Sequence, residues 1–254
     1  MNDLILKSLA SIPLIEPGDD LPQIIYDSIV KLSLDVQDGD IFVIAQKVVS
    51  KSENRYVYLN EVTPSIEAIT LSKETKKDPR LVQVILQESE RVVRSREGVI
   101  VVENKLGFVH ANAGIDRSNI DSLDNNPKVL LLPKDPDKSA EDIRLSLEKK
   151  LHVKLGVIIN DSAGRAWRNG TTGIAIGSSG VLTLSDLRGK KDLYGRLLEV
   201  TQIGLGDELA SSASILMGQA DEGLPVVLIK GLMLPTVEQS AKELLRLADQ
   251  DLFR

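Results

Sequence analysis

The run GVIVVENKLGFVHAN, residues 98–112, followed by KVLLLP at 128–133, decides the fold. It holds three strand-like stretches, 98–103, 107–112 and 128–133, with no helical pattern between them. Short apolar stretches rich in β-branched residues and bounded by turn formers read as strands. A doubly wound sheet needs a helix between successive strands, so strands in clusters point to an α+β arrangement. The expectation is mixed or antiparallel sheets with flanking helices.

Working outward, GDDLPQIIYDSIV (18–30) predicts a helix capped by Asp19 or Asp20, with Ile25 and Ile29 on one face. DGD at 38–40 is a turn and IFVIA at 41–45 a short buried strand. DPRLVQVILQESERVVR (78–94) reads as the clearest helix: Asp78 caps it, Pro79 takes the first position, and Val82, Leu86, Ser89 and Val93 form one stripe. A further helix starts near Ser139 and buries Ile143, Leu147 and Leu151. LGVIIND (155–161), GIAIGSSGV (173–181), LLEVTQIGL (197–205) and LPVVLIKGL (224–232) read as strands. GDELASSASILMG (206–218) and VEQSAKELLRLADQDLFR (237–254) read as helices, the second closing the chain. Helices concentrate near 65–95 and 135–150, where a second lobe could lie.

The 254 residues suffice for one large domain or two small ones, with Leu, Ile and Val filling the core because aromatics are only 3%. A net charge of −6 with no basic block argues against nucleic-acid binding but leaves room for an anionic small ligand. The absence of cysteine removes disulfides, thiolate metal sites and cysteine nucleophiles, and fits a reducing cytoplasm. The opening residues make a poor signal-peptide pattern, and no apolar run is long enough to span a membrane. His110 and His152 are the only histidines, so a metal site would be mostly oxygen-ligated, suiting Mg²⁺ or Mn²⁺. His110, in an apolar run, reads as structural, and His152 as a helix-closing residue favourable to the dipole.

Four polar clusters follow strand-like runs. In AQKVVSKSENR (45–55), Lys47 and Lys51 flank Ser50 and could hold phosphates, or form a solvated loop. In NAGIDRSN (112–119), Asp116 and Asn119 are turn residues or ligands, and Gly114 adds backbone freedom. IINDSAGRAWRNG (158–170) places Asp161 and Ser162 at a strand's carboxyl end. Arg165 and Arg168 there are phosphate partners or surface arginines beside a core Trp167. LMGQADEGLP (216–225) is a glycine-flanked loop bearing Asp221 and Glu222. GSSG at 177–180 could be a phosphate-cradling turn, but no Walker motif is present.

Taken in order, IPLIEPGDDL, DGDIFVIAQKVVSKSENR, ILQESERVVR, GFVHANAGIDRSN, LLPKDPDKSAEDIR, GVIINDSAGRAWRNGTTGIAIGSSG, DLYGRLLEVT and DELASSASILMGQADEGLPVVLIKG cover nearly the whole chain. In that order the chain resembles the coenzyme F420-0:L-glutamate ligase family. The resemblance implies a GTP-dependent, GDP-forming ligase that adds L-glutamate to F420-0, giving F420-1 and then γ-linked F420-2 or longer. It also implies an unusual α+β fold, an intertwined homodimer, two divalent cations (Mg²⁺ or Mn²⁺), and leaves K⁺ open. Asp116 matches a metal-binding aspartate and Asn119 a nucleotide contact. Asp161 and Ser162 match an aspartate–threonine pair on the metals, so Asp116 and Asp161 are the implied catalytic pair. Ile12, Pro13, Leu14 and Ile15 match nucleotide-binding positions, as do Gln46, Lys47 and Lys51. The loop of Met217, Gly218, Gln219, Ala220, Asp221 and Glu222 matches another, approaching a metal near Gly218 or Gln219. NDSAGRAWR departs from the SDTFGRPWR of many members, which bears on phosphate and substrate packing. Several members carry a C-terminal flavin reductase domain, which is not expected here. A ligase with another acceptor and a non-catalytic GTP-binding protein are the rival readings.

Overall fold

Strands whose two faces are both apolar build the centre. The computed structural model describes residues 3–232 and 237–251. Its elements run β1 (Ile5–Ser8), α1 (Leu21–Lys31), β2 (Ile41–Ala45), α2 (Gln46–Ser52), β3 (Tyr56–Tyr58), α3 (Ile66–Thr75), α4 (Pro79–Gln87), β4 (Ser89–Arg96), β5 (Val99–Asn104), β6 (Val109–Ala111), β7 (Lys128–Leu130), α5 (Pro136–Leu151), β8 (Gly156–Arg165), β9 (Arg168–Ser179), β10 (Ser185–Asp186), β11 (Gln202–Ile203), α6 (Leu205–Met217) and β12 (Val226–Lys230). The main sheet has the order β1-β12-β2-β8-β9 and is mixed: β2 and β8 are parallel, the other pairs antiparallel. The α+β expectation therefore holds.

Side chains alternate along a strand, so a doubly covered strand is apolar throughout. Val226 and Leu228 face one layer with Ile25, Ile29, Ile143 and Leu147 of α1 and α5. Val227 and Ile229 face the other with Leu209, Ala210 and Ala213 of α6. Each large side chain buried there contributes about 1.5–3 kcal/mol. The helices behave as their caps require. Asp20 Oδ1 accepts from Gln23 N at 3.0 Å to start α1, and Asp135 Oδ1 accepts from Lys138 N at 3.2 Å to start α5. α5 ends at His152, which is left-handed with φ 59°.

A second core gathers Leu81, Val82, Val84 and Ile85 of α4 against Ile100 and Val102 of β5, Ala113, and Val129 of β7. Here β4-β5-β6 form a three-stranded sheet and β3 pairs with β7. The expected helix over 78–94 is real only to Gln87. Asp78 caps it as expected, Oδ1 accepting from Arg80 N at 2.8 Å. Ser89–Arg96 is instead a strand, because Val92 and Arg91 find cross-strand partners, Val102 and, at 2.7 Å, Glu103. Tertiary pairing overrides local helix preference there. α5 packs on the main sheet, not in this second core.

Two other expectations are corrected. Of the strand at 197–205 only Gln202–Ile203 forms a strand; residues 197–201 belong to a hairpin arm in which Leu197 bridges Lys191 and which Leu187 N–Thr201 O, Gly189 N–Leu198 O and Asp192 N–Arg196 O bonds close, and Leu205 opens α6. The closing helix over 237–254 is replaced, in its described part, by 3-10 turns at Ala241–Leu244 and Ala248–Gln250, with residues 252–254 outside the described residues. The segment spends its bonding on neighbours: Gln239 Oε1 accepts from Thr183 N and Leu184 N, and Ala241 N donates to Asp137. Among the described residues no helix is long and apolar enough to cross a membrane.

Candidate active site

β2 ends at Ala45 opposite Asn160, while the parallel β8 continues to Arg165. Asp161 and Ser162, expected at a strand's carboxyl end, therefore lie inside β8, just past the end of β2. α2 begins at Gln46 on one strand, and Asp161 follows Asn160 on the other. A strand end such as that of β2 is where ligands settle in many α/β sheets.

Asp116 reaches this point from the second core. After β6 the backbone passes through Asn112, Ala113 and Gly114 with φ of 52°, 57° and 71°, all left-handed. Asp116 then bridges Leu130 through both backbone groups, at 2.9 and 3.0 Å. Its Oδ2 accepts from Gln46 Nε2 at 2.5 Å, and Lys47 Nζ lies 3.3 Å from Oδ1. The buried Ser50 hydroxyl donates to Gln46 Oε1 at 3.0 Å, which turns the amide's donor end toward Asp116. Burial pushes the Asp116 carboxyl above its ordinary range; Lys47 opposes this and the Asp161 charge adds to it.

Asp161 Oδ1 accepts from Ser162 N at 2.8 Å. Its Oδ2 is buried and lies 3.2 Å from His110 Nε2, an ion-pair distance without hydrogen-bond alignment. Burial favours neutral His110, but the Asp161 carboxylate and the Ala111 carbonyl outweigh it and raise the imidazole's affinity for a proton. The pleat sends successive side chains to opposite faces. Asn160 reaches Ser214 Oγ of α6 at 3.0 Å, so Ser162, two residues on, lies on that face and not beside the Asp161 carboxylate.

Lys47 pairs with Asp116, and Lys51 and Lys128 lie within electrostatic reach of this group. Burial and then the Lys47 charge pull Lys51 below its ordinary range, Glu16 opposing and Lys128 adding to the effect. Lys128 Nζ sits 4.4 Å over the Tyr56 ring. Just beyond the 12–16 segment, Gly18 N donates to Ser52 O at 2.9 Å, which ties this stretch to the end of α2. In that segment Ile15 is buried, Ile12 half-buried, and Pro13 and Leu14 exposed.

The last loop closes on the first. Asn119, left-handed with φ 55°, donates through Nδ2 to Ala220 O at 2.8 Å. Met217 ends α6 buried, with Sδ 3.4 Å from Asn160 Nδ2, and Gly218 turns the chain at φ 69°. Gln219, Ala220 and Asp221 are exposed. The Glu222 carboxylate is held below its ordinary range by the amides of Glu222, Ala220 and Gln219, so it shapes the loop.

The structure thus gathers Gln46, Lys47, Lys51, Asp116 and Asp161, and ties Asn119 to Ala220. It does not bring the arginines in. Arg165 and Arg168 pair across the exposed β8–β9 tip, and Trp167 between them is 89% exposed, not a core residue. GSSG does not cradle phosphate: Gly177, Ser178 and Ser179 are buried in β9, and Gly177 packs on the Pro136 backbone.

Among the described residues no cluster of three His, Asp or Glu side chains is disposed to hold a metal. The donors present still fit Mg²⁺ or Mn²⁺. Such ions are commonly held by one or two carboxylates together with substrate phosphates. Asp116 and Asp161 repel each other, and the buried Asp161 Oδ2 lacks a hydrogen bond, which is what a cation would relieve.

Residues 10–231 match the family model described as F420-0:Gamma-glutamyl ligase. The chain belongs to that family. It is 49% identical over 219 residues, 86% of each chain, to the coenzyme F420:L-glutamate ligase of Methanococcus maripaludis strain S2, and 48% identical over the same shares to that of Methanocaldococcus jannaschii. The protein of that name from Methanothermobacter thermautotrophicus is 43% identical over 251 residues, 98% of each chain.

Within this gamma-glutamyl ligase family member, sequence reasoning missed His110 and Lys128. His110 was legible in principle: in β6, Val109 and Ala111 are exposed while His110 faces in, a period of two. Lys128 had no local signal, because only the β3–β7 pairing carries it over Tyr56.

Proposed function

We propose that this chain is a GTP-dependent ligase that adds L-glutamate to the carboxylate of F420-0, giving F420-1 and then γ-linked F420-2 or longer. The observation that carries the reading is the pairing of Asp116 with Lys47, with the Asp161 carboxylate and the Lys51 ammonium close enough to act on the pair. A carboxylate is a poor electrophile. In the proposed route its oxygen attacks the γ-phosphorus, GDP leaves, and an acyl phosphate forms. The glutamate amine then attacks the carbonyl carbon, inorganic phosphate leaves, and the nitrogen sheds a proton.

Phosphoryl transfer needs charge neutralisation and alignment more than a covalent protein group. Lys47, Lys51 and Lys128 supply fixed positive charge for phosphate oxygens. Asp116 and Asp161 would hold two divalent cations, Mg²⁺ or Mn²⁺, whose chemistry is neutralisation of the transferring phosphoryl group. Gln46 and His110 orient those carboxylates. Asn119, the 12–15 segment and the 217–222 loop form the nucleotide's surroundings.

An intertwined homodimer in the cytoplasm completes the proposal. The hairpin arm between β10 and β11 supports the pairing, because Leu193, Tyr194 and Val200 on it are 99%, 91% and 84% exposed. The test is incubation with F420-0, L-glutamate, GTP and Mn²⁺, followed by mass spectrometry. Wild type should add one glutamyl unit, and Asp116→Asn and Asp161→Asn should each lose at least about a thousandfold in rate. Full activity in both variants rejects the site. GTP binding with no phosphate release would instead mark a non-catalytic binder.

A further inference from the structure

A cavity of about 360 Å³ lies beside the site, under the 3-10 turn at Ala241–Leu244. Ile174 and Phe108 line it on the side of the acidic centre. Ile174 is the cross-strand partner of Asp161, and the Phe108 ring stands edge-on to His110 at 6.1 Å. Lys105, Lys134 and Lys242 surround it, and none of them has a carboxylate partner among the described residues. Its floor carries two aspartates at helix starts. Asp207 Oδ1 accepts from Ala175 N at 2.9 Å, and Asp137 Oδ1 accepts from Ser178 N and Ala241 N, both at 2.9 Å. The second oxygen of each takes no protein hydrogen bond among the described residues. Burial pushes the Asp207 carboxyl up, the Ala175 amide opposing, so a cationic partner would be welcome there. The size sits at the low end of small-molecule pockets, about 300–1,000 Å³.

We infer that this cavity is the L-glutamate pocket, with Lys105, Lys134 and Lys242 receiving the two carboxylates and Asp207 receiving the ammonium. The inference rests on the ligase reading, which supplies the amino acid, and goes beyond it in placing the amino acid. The chemistry matches in kind: three cations without a carboxylate partner among the described residues for two anions, two half-free carboxylates, of which Asp207, whose burial opposes its charge, takes the one ammonium, and aliphatic walls for the methylenes. The position matches as well. A glutamate seated there touches Ile174 and Phe108, the immediate neighbours of Asp161 and His110.

Ligation by the full chain with GTP and F420-0 saturating and L-glutamate varied tests the assignment. Lys105→Ala with Lys242→Ala should raise KM for glutamate at least about tenfold, with KM for GTP within about twofold of wild type. An unchanged glutamate KM, or an equal rise in both, overturns the assignment. Asp207→Asn keeps the acceptor for Ala175 N and so the fold; it too should raise KM for glutamate about tenfold or more, and an unaltered value removes Asp207 from the pocket. If wild type forms no glutamyl product, the ligase reading fails separately, and equilibrium dialysis of radiolabelled L-glutamate still reads the cavity. Binding by wild type that the double lysine variant loses supports the pocket. No binding by wild type, or equal binding by both, overturns it.

Discussion

Gln46→Met tests whether the acidic centre is held as described. Methionine keeps the length and volume of glutamine and removes both hydrogen bonds. Asp116 loses the amide donor at 2.5 Å, a bond to a charged group worth about 1.5–3 kcal/mol. Ser50, fully buried, loses its acceptor, which costs about 1–3 kcal/mol more. Burying the apolar methionine returns about 1 kcal/mol. The net expectation is a loss of about 2–5 kcal/mol, read as a lower urea midpoint at unchanged slope.

The cycle with Ser50→Ala makes the test sharp. Alone, Ser50→Ala should cost about 1 kcal/mol, because it strands the buried Gln46 oxygen. In the Gln46→Met background it should instead return stability, since it removes the hydroxyl that the first change stranded. The coupling should therefore fall at about 0.5–3 kcal/mol. Costs that add to within about 0.5 kcal/mol would refute the chain Ser50–Gln46–Asp116 as an energetic unit. On the proposed reading Gln46→Met also lowers divalent-cation affinity or activity about 10–100-fold, because it removes the group that orients a ligand.

Glu148 offers a pH test. Burial opposes its charge, but the Leu155 amide, Lys154 and Arg144 outweigh this and hold its carboxyl below the ordinary 4.5. A depressed folded pKa means stability present above pH 4.5 and lost as pH falls through the folded value. Glu148→Gln should flatten that part of the unfolding curve, and an identical acid slope refutes the pairing. In light scattering, Leu193→Asp with Tyr194→Asp should convert the proposed dimer to monomer; an unchanged dimer mass removes the hairpin arm from the interface.

Much of the main sheet was legible because β2, β8 and β12 are buried on both faces and read as unbroken apolar runs between turn residues. α2 was not legible. It is seven residues long, and its N-cap, Ala45, makes no side-chain cap bond. The closing segment failed for the opposite reason: Leu244, Leu245 and Leu247 mimic a helical stripe, yet Gln239 and Ala241 bond outward to Thr183 and Asp137. Asp161 could be found from the end of the apolar run before it, although β8 itself continues past it to Arg165. Its neighbours could not, because His110 and Asp116 arrive from the second core, and nothing local to either encodes that meeting.

That meeting depends on the left-handed stretch before Asp116, and Gly114 is where it can be broken. A Cβ on Gly114 would stand 2.7 Å from Leu132 Cδ1 and 3.0 Å from Cγ, on a residue whose φ is 71°. Left-handed backbone costs a non-glycine residue about 1–2 kcal/mol, and forced overpacking about 1–3 more. Gly180→Ala is the matched control. Its φ is 70°, and its Cβ would meet Leu155 O and the Arg144 side chain, beside the amino end of β8 and away from the turn before Asp116. Both variants should therefore lose about 2–5 kcal/mol of stability. Only Gly114→Ala should also raise the divalent-cation concentration needed for half-maximal ligation, because the strain it adds is relieved by moving Asp116 two residues away. If Gly180→Ala shifts that concentration as far, the loss follows stability alone, and the left-handed turn has no part in aiming Asp116.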